Sequence, residues 1–129
     1  MTAEERKQRP VFSGVLMYFP DAILEVAKTS WQGNEQHHPG TPLHWDRSKS
    51  TDELDALTRH LIQAGTIDTD GVRHSAKVAW RALANLQKEI ENERAELNKN
   101  TKDSGEQSRT DSRSGLGDYA IEQLNSRTV

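Results

Sequence analysis

The 129-residue sequence predicts an all-α fold: a small helical bundle with a long final helix and a disordered polar C-terminal tail. Three observations lead there. Ala22, Ile23, Val26 and Ala27 recur at helical spacing. Ser50 followed by Glu53 forms a capping-box pair ahead of a second apolar stripe. Ala76, Ala79, Leu83, Leu86 and Ile90 then repeat in alternating steps of three and four, the pattern of a helical packing seam.

Taken in order, residues 1–12 are charged and read as a flexible arm, and residues 13–97 form the helical domain. Pro20 and Asp21 open the first helix, because proline fits a first turn and an early carboxylate suits the helix dipole. That helix is expected to end near Trp31 and Gly33. The following GNEQHHPGTPLHWDRSK, with two prolines, two glycines and three histidines, reads as a loop long enough to suggest a function. The second helix begins at Thr51, buries Leu54, Leu57, Leu61 and Ile62, and stops at Gly65. Residues 66–71 make an acidic turn, and the last helix runs from about Val72 into the charged KEIENERAEL stretch. From Asn98 onward the chain is almost devoid of apolar residues and is expected to be mostly disordered; GLGDYAIEQLN, with Tyr119, Ile121 and Leu124, leaves room for a short terminal helix.

Composition narrows the function classes. Only 33% of the residues are hydrophobic and the mean hydropathy is −0.89, so the domain's private core is small and self-association through residues 72–97 is expected. A net charge of −3 is too balanced to draw the chain to nucleic acid or membrane in general. With no cysteine, disulfides and thiolate metal sites are excluded. The apolar run from Val15 to Phe19 is too short for a signal or a span, so a cytoplasmic protein is expected, in a host cell if the chain is phage-encoded.

Chemistry-bearing residues concentrate between Ser50 and Leu86. Asp55 and Arg59 share a helix face, which reads either as an i,i+4 ion pair or as a metal ligand beside a phosphate contact, with His60 next to them. His74, Lys77 and Arg81 follow one face of the last helix at the margin of its apolar seam. They form either a solvated basic stripe or a phosphate grip. Of Asp68 and Asp70, one serves to cap the helix start and the other is available to a divalent cation. His37, His38 and His44 lack a regular zinc spacing, while Trp45 is placed to stack on a base.

LDALTRHL, the Asp68…Asp70-Gly71…His74 turn and the small-residue helix HSAKVAWRALANL resemble the N-terminal domain of phage dATP/dGTP diphosphohydrolases, an all-α group similar to MazG-like nucleotide pyrophosphohydrolases. FPDAILEVAKTSWQGN and the His44-Trp45 pair fall where that family has a helix and an Asn-Trp pair. The resemblance implies hydrolysis of a deoxynucleoside triphosphate with Mg²⁺ bridging carboxylates and phosphates. The chain departs from the pattern at Lys77, where a second histidine is often found, and at Arg81, a polar amide position. The Glu-Glu-x-x-Glu metal signature of MazG-like enzymes is also absent.

These readings assign Asp55 and Asp70 to the metal and Asp55, His60 and His74 to catalysis. Arg59, Lys77, Arg81, His44 and Trp45 are assigned to the substrate, and His74 also faces its phosphates. The expected activity is that of a dATP/dGTP pyrophosphohydrolase. Two other classes fit the same residues: a nucleotide-sequestering protein without turnover, favoured by the surplus of cations, and a helical assembly protein.

Overall fold

A computed structural model describes residues 1–107 of the chain. Among them the fold is helical, with an isolated antiparallel bridge between Ile67 and Arg73 and no strand. Helix α1 spans Ala3–Lys7, a π-helical turn covers Phe12–Leu16, α2 runs Pro20–His37, a 3₁₀ turn covers Arg47–Lys49, α3 runs Glu53–Ile62 and α4 runs His74–Gln107. The chain divides into two compact units, Met1–Ile90 and Glu91–Val129. In the second, residues 91–107 are helical, so α4 passes the expected end of order at Leu97. The remainder of the expected tail, with Tyr119, Ile121 and Leu124, lies outside the described residues.

Local chemistry explains most boundaries. The expected arm carries one capped turn: Thr2 and Glu5 satisfy each other's backbone N–H groups in a capping box. Proline opens α2 as anticipated, but α2 continues through Gly33 to His37, so the loop is shorter than the sequence suggested. The two segments Ala3–Leu16 and Pro20–His37 meet at 92°, and no single helix among the described residues is long and apolar enough to cross a membrane. Gly65 and Gly71 have φ of 91° and 80°, left-handed values that explain glycine at the exit of α3 and in the turn before α4.

The buried faces differ from the apolar stripes. In α3 the buried residues are Glu53 and Ala56, with His60 half-buried on the same side, whereas Leu54, Leu61 and Ile62 are exposed. In α4 the seam expected to pack splits: Ala76 is buried, Ala79 and Ile90 are half-buried, and Leu83 and Leu86 stand 53% and 50% exposed. The side that turns inward carries Lys77, Trp80, Arg81, Ala84 and Lys88. Periodicity finds the stripe that water disfavours, but a chain with so few apolar side chains buries its polar network first. The interior reflects this, with Ala56, Val72, Ala76 and Ala84 as buried apolar residues beside buried Asn34, Ser50, Glu53 and His74. Buried polar groups must be paired to be tolerated, so hydrogen bonds set this packing.

Those bonds dock the elements of the first unit. Trp80 Nε1 donates to Ser30 Oγ at 2.7 Å, joining α4 to α2. Lys28 Nζ donates to the Gly71 carbonyl at 3.0 Å, joining α2 to the turn. The turn closes on itself through Asp68 N–H to the Val72 carbonyl at 2.9 Å and His74 N–H to the Thr66 carbonyl at 3.1 Å. Val72, fully buried, anchors it.

Candidate functional site

Helix α2, the loop after it, α3 and α4 enclose an open cleft of ≈ 640 Å³, within the size range of small-molecule sites. Asn34, His38, Trp45, His60, Lys77 and Arg81 all line it. Three polar ensembles form its surroundings.

The first is built on α3. Ser50 and Glu53 do meet, but not as a capping box: the serine hydroxyl donates to the Glu53 carboxylate, and the helix starts at Glu53 with Asp52 as its cap residue. Glu53, with only 5% of its side chain exposed, also accepts from Arg81 Nη1 at 3.0 Å and Lys88 Nζ at 3.1 Å. Burial alone would push its pKa up. The bonds from Ser50, Arg81 and Lys88 outweigh burial and hold it below the ordinary value, so it is a carboxylate. Glu53 thereby spans α3 and α4 and aims the Arg81 guanidinium, which also donates to Ser50 Oγ at 3.1 Å.

The second ensemble sits at the start of α4. Lys77 Nζ donates to Asp68 Oδ2 and to Asp70 Oδ2, each at 2.7 Å. Asp68 also accepts from Thr69 N–H at 2.7 Å, and Asp70 accepts from Val72 N–H at 3.0 Å, so both carboxylates shape the turn. The Lys77 bond, with the Thr69 N–H, lowers the Asp68 pKa to about 2. For Lys77 itself, burial would lower the pKa, but the two carboxylates raise it above the ordinary value, so its ammonium is a permanent cation. Beside it, His60 Nδ1 and His74 Nδ1 stand 2.9 Å apart, one ring donating to the other's bare nitrogen. Burial, reinforced by Lys77 and His74, lowers the His60 pKa and keeps that ring neutral near pH 7.

The third ensemble lines the α2 side. Asn34 Nδ2 donates to the Thr41 carbonyl at 3.0 Å, but its Oδ1 has no partner. His38 Nε2 and Trp45 Nε1 are likewise buried and unpaired. Native interiors seldom leave such atoms unsatisfied, and all three residues line the cleft. Arg47 lies over the Trp45 ring at 4.1 Å and Trp80 meets it edge-on with ring centroids 5.7 Å apart.

The structure thus brings His60, His74, Lys77, Arg81, Asp70, His44 and Trp45 to or beside the cleft. Asp55 and Arg59 stand apart from it. Glu53 and His60 face inward, and Asp55, two residues or roughly 200° around the helix from Glu53, faces water. Arg59 pairs with Asp52 at 2.8 Å on that exposed side. Asn34, His38, Glu53, Asp68 and Lys88 were not among the expected site residues. The histidine-rich loop hinted at His38, and the Asp-x-Asp turn at Asp68; nothing in the sequence marks Asn34.

Magnesium takes oxygen ligands, and the carboxylates of the turn stand beside the cleft. Asp68 and Asp70 both accept from Lys77, and one donor atom each of His60, Asp68 and His74 lie within 4.8 Å of one another.

The family model described as dATP/dGTP diphosphohydrolase, N-terminal, matches residues 2–98, which include all three ensembles. No curated protein and no solved structure gives a significant match. The chain belongs to the dATP/dGTP diphosphohydrolase N-terminal domain family, a nucleotide-hydrolase family.

Proposed function

We propose that the cleft binds a purine deoxynucleoside triphosphate and cleaves it to the monophosphate and pyrophosphate, as in a phage-type dATP/dGTP pyrophosphohydrolase. The observation that carries this reading is the division of the cleft. Unpaired Asn34 Oδ1, His38 Nε2 and Trp45 Nε1 supply an acceptor, a group that serves either way, and a donor, while Lys77 and Arg81 supply fixed cations. A nucleotide has the same two halves: a base edge of mixed donors and acceptors, and a polyanion. Charge-assisted bonds from Lys77 and Arg81 would stabilise charge developing on the phosphates. The His60–His74 pair is assigned to activating the attacking water. The water oxygen bonds to the α-phosphorus, the bond to the departing pyrophosphate breaks, and the water's proton passes to a basic group at the pair. Mg²⁺ in this reading arrives on the triphosphate and is not held by the chain.

A second reading is favoured by one specific feature. Lys77 occupies both carboxylates of the turn, which suits a nucleotide-sequestering protein as well as an enzyme. Incubation with each dNTP and NTP in Mg²⁺, with chromatography of the products, separates the two. Release of pyrophosphate from dATP or dGTP supports the hydrolase. Tight calorimetric binding with intact ligand supports sequestration. If no nucleotide binds, both readings fail.

A further inference from the structure

We propose that His60, Asp68 and His74 form a site for a divalent transition-metal ion of the zinc class, held by the chain before any nucleotide arrives. The three residues come from the end of α3, the turn and the start of α4, and one ligand atom from each lies within 4.8 Å of the others. Such convergence from three separate elements is a property of the tertiary fold and not of one helix face.

The imidazole pair carries the argument furthest. Two ring nitrogens at 2.9 Å need something between them, because two lone pairs at that distance repel. A proton is one solution and a metal ion is the other. Nitrogens bound to one tetrahedral zinc at about 2.0–2.1 Å stand roughly 3.3 Å apart, so the rings need to separate by only about 0.4 Å. Asp68 supplies the third ligand, already oriented by Thr69 N–H and Lys77 Nζ in the way outer partners orient a metal-binding carboxylate.

Donor chemistry selects the ion. Two imidazoles and one carboxylate suit zinc and its neighbours, whereas magnesium prefers an oxygen shell. Three protein ligands leave a coordination position for water or a phosphate oxygen, the arrangement of catalytic zinc. His60 lines the cleft, which places that position within reach of a bound nucleotide. Charge agrees as well: Asp68 and Asp70 against Lys77 leave one negative charge for a divalent ion to reverse.

The test uses the full chain, stripped with a chelator and titrated with Co²⁺ alone, then Zn²⁺. No nucleotide is present, so the outcome is independent of the hydrolase reading. We expect Co²⁺ to give the intense visible bands of a four- or five-coordinate site, bleached by Zn²⁺ and untouched by excess Mg²⁺. His74 is buried, so the variants are His60→Ala and Asp68→Asn, with far-UV circular dichroism confirming their fold. Each should weaken Co²⁺ binding beyond the roughly 10–100-fold that loss of an outer partner causes. A folded parent that leaves the spectrum of aqueous cobalt unchanged overturns the proposal. So does a His60→Ala variant that binds like the parent, which would move the ion elsewhere.

Discussion

Glu53→Gln is the most informative single substitution for the fold. It keeps the size and one acceptor oxygen while removing the charge that Arg81 and Lys88 share. Breaking a fully buried ion pair from one side costs about 3–5 kcal/mol, because the partner keeps its charge and loses its solvent. Here Glu53 is 5% exposed, but Arg81 and Lys88 are 28% and 25% exposed and can partly rehydrate. The expected loss is therefore about 2–3 kcal/mol, a large share of the roughly 5–15 kcal/mol that holds a typical domain together. Urea unfolding followed by circular dichroism would read it as a lower midpoint at constant slope. A double-mutant cycle with Lys88→Met should show coupling, since Lys88 Nζ donates directly to the Glu53 carboxylate. A loss below about 1 kcal/mol, the scale of an exposed ion pair, would refute the claim that polar pairing rather than apolar burial joins α3 to α4.

Three further outcomes are expected. Lys77→Ala should weaken calorimetric dNTP binding by roughly 1.5–3 kcal/mol, the size of a charged hydrogen bond, whereas Asp55→Asn, on the outer face of α3, should leave binding and turnover near the parent values; equal effects would contradict the placement of the cleft. Acid titration of stability should show a loss on the order of 1 kcal/mol from Asp68. Its folded pKa of about 2 lies below the ordinary 3.8, so its stabilisation is complete above 3.8 and disappears as pH falls through 2; Asp68→Asn should abolish that slope. Finally, Leu54, Leu61, Leu83 and Leu86 are at least half exposed, and sedimentation at tens of micromolar should show a homo-oligomer that Leu83→Glu with Leu86→Glu dissolves; a monomeric parent would remove this expectation.

Helix content was legible in the sequence because its signals are local. Pro20 at the head of α2, the left-handed Gly65 after α3 and the three-and-four repeat of α4 each act within a few residues. The concentration of His60, Asp68, Asp70, His74, Lys77 and Arg81 in one helix–turn–helix was also visible, because those residues are near in sequence. Orientation was not. Leu54 and Leu61 look like a core stripe, yet the chain turns Glu53, Ala56 and His60 inward, since Arg81 and Lys88 of α4 wait there for a carboxylate. That preference depends on α4 and on no property of α3 alone. The same holds for the cleft's other wall, where Asn34, His38 and Trp45 come together beside the long-range Trp80–Ser30 bond and the Asn34–Thr41 bond. Backbone chemistry determined which segments are helices; which face each helix shows the site was decided by pairing between residues far apart in the chain, because a buried charge must find its partner wherever the fold supplies one.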